Sequence, residues 1–228
     1  MNARLAVDSH NKLRELREVP KQPPAISLTA KLISFLFHPV VVPVLVVAFI
    51  LYIHPYIFAG FTKWNKSVVF IQAFVMFTFF PVVTVLLLKG LKFINTVYLH
   101  TQKDRIIPLV ACGIWYFWIW YVWRNLPDYP REAVIFPMAI WIAASIGLLA
   151  NITMKISLHA ISMGVMLCYL FYLSLSGWSD MGLYLSLGIL IAGLVTTSRL
   201  LVSDHTQGEI YFGLLLGVVS QLLAVITG

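Results

Sequence analysis

Long uncharged apolar segments restrict the fold of this chain more than any other feature. Seven segments approach the roughly 20 residues that a helix needs to cross the hydrocarbon core of a bilayer, and none contains Asp, Glu, Lys or Arg. They span residues 32–53, 68–88, 106–123, 133–150, 158–175, 181–197 and 210–226. Each segment is continuously apolar rather than alternating, and lipid offers no partner for an unpaired backbone amide. The sequence therefore predicts an all-α, polytopic transmembrane bundle of about six to seven spans.

Composition and charge narrow the class further. Hydrophobic residues make up 60% of the 228 residues and charged residues only 11%, a balance at which a water-soluble domain would aggregate. Residues 1–28 form a basic tail without an apolar signal core, which we expect to lie in the cytosol against anionic headgroups. The tail accounts for part of the net charge of +7, and so apolar a chain does not fit nucleic-acid binding. We predict a single transmembrane domain over residues 29–228.

Prolines and glycines inside the apolar segments predict local features of the helices. Four prolines should kink their helices without ending them: Pro39, Pro43, Pro81 and Pro137. The spacing of Gly213 and Gly217 predicts a close-packing face on the last helix. His38 and His54 each precede a proline, towards the two ends of the first segment and outside the polar clusters, and are predicted to be structural or interfacial.

The unusual polar residues gather in three connections that alternate along the chain. With seven spans, the connections after the second, fourth and sixth helices lie on the same membrane side as the tail. Lys103, Arg105 and Arg199 are cations suited to an anion with several oxygens, since guanidinium matches phosphate geometry especially well. His159 and His205 add a nucleophile and a general acid, which suffice to break a phosphoester. We therefore expect one convergent phosphate site at the helix ends.

The residues of this cluster follow a known pattern. Ser198, Arg199, His205 and Glu209 have the spacing Ser-Arg-x5-His-x3-acid, and Ser157-x-His159 precedes them. The chain thereby resembles the type 2 phosphatidic acid phosphatase superfamily, which includes the vanadium haloperoxidases. Its three motifs run Lys-x6-Arg-Pro, Pro-Ser-Gly-His and Ser-Arg-x5-His-x3-Asp. The resemblance covers about residues 100–228.

The chain departs from the family pattern at several positions. Glu209 stands where Asp is usual, Ile156 replaces Pro and Leu158 replaces Gly. Arg105 aligns with the first motif, but Tyr98 occupies the position of the distant Lys, and the following proline is Pro108. Lys103 is the substitute that we consider for the missing lysine.

The resemblance implies a role for each residue of the cluster. His205 would attack phosphorus to form a phosphohistidine while Glu209 holds its other ring nitrogen. His159 would protonate the leaving oxygen and later activate water. The phosphoryl oxygens would be held by Lys103, Arg105, Arg199, the Ser157 hydroxyl and a backbone amide near Leu158. The resemblance implies neither a metal nor another cofactor.

The predicted activity is therefore that of a membrane lipid phosphate phosphatase. Its substrate would be a phosphomonoester or diphosphate such as phosphatidic acid, phosphatidylglycerophosphate or an isoprenyl phosphate or diphosphate. Two alternatives remain: a phosphotransferase that uses the same site, and a non-catalytic transporter or lipid-binding protein. Twelve Lys and Arg residues lie on the tail side against four on the other. By the positive-inside rule, the site and the N-terminus are cytoplasmic, in the cell (inner) membrane. No oligomeric state is predicted.

Overall fold

A computed structural model describes residues 22–94, 96–97, 99, 101–177, 180–203 and 205–228, and the backbone of residues 3–7 and 13–17. Tyr98 and the basic side chains of the first 21 residues lie outside the described part. The described helices are α1 Pro24–Leu36, α2 Val42–Ala48, α3 Lys63–Phe74, α4 Phe80–Gly90, α5 Gln102–Arg124, α6 Arg131–Thr153, α7 Leu158–Leu175, α8 Gly182–Val202 and α9 Gln207–Thr227.

The all-α bundle predicted from the apolar segments is confirmed. Within the described residues, six helices are long and apolar enough to cross a membrane, with α3 and α4 joined into one of 28 residues by the π-helical turn Val75–Phe79. A short antiparallel pair of strands, β1 Ala3–Val7 and β2 Leu13–Arg17, lies in the N-terminal segment outside the bundle.

The first apolar segment is not the continuous helix that we expected. It divides into α1 and α2, and α2 continues as a π-helical turn at Phe49–Ile53. The prediction that Pro39 bends a helix without ending it is therefore wrong, because α1 ends at Leu36. Pro137 does lie inside an uninterrupted helix, as predicted, and so does Pro108.

Glycine contacts bring α7 and α9 together, as the spacing of Gly213 and Gly217 predicts. A Cβ at Gly213 would lie 2.9 Å from the carbonyl oxygen of Ser157. At Gly217 it would overlap the carbonyl oxygen of Ile161, and Gly164 on α7 meets the α9 backbone equally closely. This contact places the start of α7 beside the start of α9, where the amide of Ser157 donates to the carbonyl of Glu209 at 3.4 Å.

A second set of polar contacts joins α5 and α6 at the same end of the bundle. The side chain of Gln102 donates to the carbonyl of Asn151 at 3.0 Å, and Asn151 donates back to the carbonyl of Gln102 at 2.8 Å. Asn151 is buried, so these bonds fix two helix ends without exposing backbone groups to lipid. The starts of α5, α7 and α9 and the ends of α6 and α8 thus surround one region.

Candidate functional site

A cavity of about 1280 Å³ opens in this region and extends into the bundle. Its polar wall includes Arg105, His159, Arg199 and His205, which come from three separate connections of the chain. The structure therefore brings together cations and histidines that lie up to 100 residues apart in sequence, as the convergent-site prediction requires. Further into the bundle, the lining is mostly apolar and includes Leu109, Cys112, Tyr116, Phe136 and Ile140.

His205 is held by Glu209 on the first turn of α9. The Nδ1 atom of His205 lies 3.3 Å from Oε2 of Glu209, and the side chain of His205 is only 4% exposed. The same carboxylate oxygen accepts the Thr206 amide at 2.8 Å, while the Thr206 hydroxyl accepts the Glu209 amide at 3.1 Å. This capping box fixes the carboxylate, so that the carboxylate in turn fixes the ring orientation of His205. Nε2 is left as the nitrogen available for reaction.

The surroundings of His205 favour its neutral, nucleophilic form. Burial is the main cause that lowers the pKa of His205 below its ordinary value, and the positive charges of Arg105 and Arg199 lower it further. The hydrogen bond and the charge of Glu209 act in the opposite direction and raise the pKa. Because the lowering effects prevail, the ring is neutral at neutral pH and its lone pair is available.

Arg105 is buried at the start of α5 and connects two loops. Its Nε donates to the carbonyl of Leu99 at 2.9 Å, and Nη1 donates to the carbonyl of Ile156 at 2.8 Å. The guanidinium is therefore fixed beside the residues that begin α7. It lines the cavity and acts electrostatically on His205.

Ser157 caps the N-terminus of α7 next to the cavity, but its own side chain is fully buried and is not part of the cavity lining. Its hydroxyl accepts the Ala160 amide at 3.4 Å, and its carbonyl accepts the Ile161 amide at 3.1 Å. The amides of Leu158 and His159 make no hydrogen bond within the described part of the chain. Free amides at a helix N-terminus attract anions, which fits the predicted backbone contact near Leu158.

His159 contacts a residue that the sequence did not assign to the site. Its Nε2 lies 3.0 Å from the carbonyl oxygen of Ser34, and its ring meets that of His38 edge to face with centroids 5.3 Å apart. His38 was predicted to be structural or interfacial, but it lines the cavity, as do Ser34 and Lys31. Arg199 acts electrostatically on all three histidines, His38, His159 and His205.

Lys103 lies apart from the residues that the cavity brings together. Its side chain is exposed on the first turn of α5 and is not part of the cavity lining. Lys155 and Lys31 are the lysines that do line the cavity. The signal for Lys31 and His38 in the sequence was weak: a single cation and a His-Pro pair at the edges of an apolar segment.

Comparison of the chain with protein-family models, curated proteins and solved structures gives no match. The fold defines the class, a polytopic helical bundle with helices of membrane-spanning length. Among the described residues, no group of three His, Cys, Asp or Glu side chains is placed to hold a metal ion.

Proposed function

We propose that this protein is a membrane lipid phosphate phosphatase that works through a phosphohistidine. The observation that carries the proposal is the pairing of His205 with Glu209 on the wall of a cavity that His159, Arg105 and Arg199 also line. A nucleophile with an orienting carboxylate, a second histidine and two guanidinium groups together supply what phosphoryl transfer needs. The substrate is a phosphomonoester or diphosphate of a lipid.

In the first step, Nε2 of neutral His205 attacks phosphorus as the bond to the leaving oxygen breaks. Nδ1 keeps its proton and its bond to Glu209, whose charge stabilises the positive ring that develops. His159 gives a proton to the leaving oxygen. In the second step, His159 takes a proton from water, which attacks phosphorus and releases phosphate and neutral His205.

Phosphoryl oxygens are held by the groups that surround His205. Arg105 and Arg199 supply positive charge, and the free amides of Leu158 and His159 supply oriented donors. Ser157 keeps these amides in place through its cap, but its own hydroxyl is fully buried outside the cavity lining and is, like Lys103, a weaker candidate ligand. Lys103 is a weaker candidate because its side chain is exposed outside the cavity.

The depth of the cavity supports an amphiphilic substrate. Arg105 and Tyr116 both line it and lie eleven residues apart on α5, which corresponds to about 16 Å along a helix. This is close to half of the roughly 30 Å hydrocarbon thickness of a bilayer. A phosphate at Arg105 would thus leave its hydrocarbon tail against apolar residues rather than water.

We further propose that the site faces the cytoplasm of a cell (inner) membrane. The proposal counts the broken first segment as a seventh span, which puts the basic tail on the same side as the site and concentrates Lys and Arg there. The lipid bilayer and the lipid phosphate are the partners that the proposal requires, and it requires no nucleic acid.

Two alternatives use the same cavity. A phosphotransferase would pass the phosphoryl group from His205 to an alcohol instead of water. A non-catalytic transporter or lipid-binding protein is favoured by one observation, namely that Arg105 is already bonded to two backbone carbonyls. Such a protein would bind phosphate analogues without forming a phosphoenzyme.

The test is release of inorganic phosphate by the purified full-length protein in detergent with EDTA. Phosphatidic acid, phosphatidylglycerophosphate and an isoprenyl diphosphate are the substrates, and His205→Ala is the matched variant. We expect release that the variant lacks, together with acid-labile labelled phosphate trapped on wild-type protein. Labelled protein without phosphate release in water, but with transfer to an added alcohol, would indicate the transferase. Binding without labelling would indicate the binding protein.

A further inference from the structure

The break between α1 and α2 interrupts the first apolar segment beside the candidate site. His38 precedes Pro39, and the residue before a proline is disfavoured in the α region. Pro39 also lacks a backbone amide. Carbonyls freed by such a break need other partners wherever water is scarce, because an unpaired backbone group in an apolar environment is costly. The hydrogen-bond partners of these carbonyls therefore show which other parts of the protein the break contacts.

Two carbonyls beside the break bond to side chains of other helices. The carbonyl of His38 is not one of them, since it keeps the helical bond from the Val42 amide at 3.1 Å and also accepts the Val41 amide at 2.7 Å. The carbonyl of Val40 accepts the hydroxyl of Thr78 at 2.6 Å. The carbonyl of Ser34 would accept the amide of residue 38 in a continuous helix. Instead, it bonds to Nε2 of His159 at 3.0 Å, so that the break is connected directly to a site histidine.

The bond to Ser34 determines the tautomer of His159. A carbonyl oxygen only accepts hydrogen bonds, so Nε2 must carry the proton, and in the neutral ring Nδ1 is the free base. Within the described part of the chain, this is the only hydrogen bond that the His159 ring makes. The ring of His38 packs against it at an interplanar angle of 82°, and both rings line the cavity.

We propose that the α1–α2 break is a positioning element of the site, in which the Ser34 carbonyl and the His38 ring hold His159 with Nε2 anchored and Nδ1 presented to the substrate. The inference rests on the proposed function and extends it to residues outside the three motifs. Protonated Nδ1 gives its proton to the leaving oxygen as the bond from phosphorus to that oxygen breaks. Neutral Nδ1 then takes a proton from the attacking water, and the proton on Nε2 stays on the Ser34 bond throughout. Ser34 thus serves His159 as Glu209 serves His205.

Substitutions at His38 separate positioning from stability. His38→Ala removes the edge contact, whereas His38→Phe keeps an aromatic ring at the same place. We expect roughly a threefold to tenfold fall in kcat for His38→Ala, KM within about twofold, and partial recovery in His38→Phe. His54→Ala is the matched control, since His54 also precedes a proline but packs against Phe49 and Tyr56, away from the cavity lining. Thermal unfolding of each variant is measured as well, and kcat values are compared only between variants that unfold at the same temperature.

Ser34→Ala provides a second control, at the residue whose backbone carbonyl bonds to His159. The hydroxyl of Ser34 is buried without a hydrogen-bond partner among the described residues, and the substitution leaves the carbonyl in place. We expect neutral His159 to keep the same tautomer in Ser34→Ala, because the carbonyl that accepts from Nε2 is unchanged. Pro39→Ala, which restores an amide and favours a continuous helix, should lower kcat as His38→Ala does.

Nitrogen NMR of ¹⁵N-histidine-labelled full-length protein tests the arrangement without turnover. We expect neutral His159 as the tautomer with the proton on Nε2, and loss of this preference in Pro39→Ala. A wild-type kcat in His38→Ala, or a proton on Nδ1 of neutral His159, would overturn the inference. If the wild type releases no phosphate from any substrate, the proposed function fails, while the tautomer still decides whether the break positions His159.

Discussion

Oε2 of Glu209 accepts two hydrogen bonds at once, from the Thr206 amide at 2.8 Å and from Nδ1 of His205 at 3.3 Å. One carboxylate oxygen therefore begins α9 and orients the candidate nucleophile. Asp and Glu both have a carboxylate, but the capping box requires the reach of Glu or Gln at this position. The glutamate that departs from the family pattern is thus explained by the local structure of this chain.

Replacing Glu209 should separate its two roles. Glu209→Gln keeps the length and the cap but loses the charge that stabilises a positive His205 ring. We expect kcat to fall roughly 10²- to 10⁴-fold with little change in thermal unfolding. Glu209→Asp keeps the charge and should retain activity within about tenfold. Equal activity in wild type and Glu209→Gln would contradict the role of the carboxylate.

The pH dependence of kcat/KM should report the charges around His205. The neutral ring is the nucleophile, so activity is lost as pH falls through the pKa of His205, which burial lowers below its ordinary value. Because Glu209 raises this pKa, Glu209→Gln should move the acid limb to lower pH. Arg199 lowers the pKa, so Arg199→Gln should move the limb to higher pH. The substrate phosphate titrates identically in all three proteins, and coincident limbs would show that His205 is not the titrating group.

Local spacing predicted part of the site, and long-range packing supplied the rest. His205 and Glu209 lie four residues apart at a helix start, where contact follows from helix geometry. Lys103 and Arg105 lie two residues apart on α5, so they face different sides, and only Arg105 reaches the cavity. The contact of Ser34 with His159 joins residues 125 positions apart, for which the sequence carries no signal.

The sequence also predicted the class of protein, a membrane-spanning helical bundle, but it did not predict where the first helix ends. Long apolar segments predict helices because lipid allows few alternatives. Hydropathy does not detect the end of α1, since the residues around His38 and Pro39 are mostly apolar on both sides of the break. The partners that allow this break, Thr78 and His159, come from other helices.

The packing of α7 on α9 should depend on Gly217. A Cβ there would overlap the Ile161 carbonyl oxygen and lie 2.8 Å from the Val165 amide nitrogen. We expect Gly217→Ala to lower the free energy of unfolding by about 1–3 kcal/mol and to reduce activity, because the two helices carry His159 and Glu209. Thermal unfolding in detergent measures the effect. Gly193→Ala is the control, since its Cβ would meet no atom within 4 Å; an equal loss there would contradict the packing argument.

Narrowing the apolar part of the cavity should change the preferred tail length of the substrate. Ala144 lines the cavity on α6, so Ala144→Phe would fill part of the space for a tail, whereas Leu149→Phe on the same helix replaces a side chain that is 64% exposed. Each methylene displaced from apolar contact costs about 0.8 kcal/mol, or roughly fourfold in kcat/KM. A series of alkyl phosphates of increasing length measures the effect. We expect Ala144→Phe to lose activity on long tails and to keep it on short ones, and Leu149→Phe to match the wild type. Activity that does not depend on tail length in any of the three proteins would mean that the tail binds outside the cavity.

Single cysteines at opposite ends of the bundle should reveal which membrane face holds the site. Lys89 is exposed at the end of α4, on the side of the cavity opening, and Asn65 is exposed on the first turn of α3, at the other end. With a cytoplasmic site, a membrane-impermeant maleimide should label Asn65→Cys in intact cells or spheroplasts, but Lys89→Cys only after permeabilisation. The wild type, which has only the native Cys112 and Cys168, is the control for background labelling. We expect this background to be low because both cysteines are buried. The reverse pattern would place the site on the outer face, so that the substrate would have to be available in the outer leaflet.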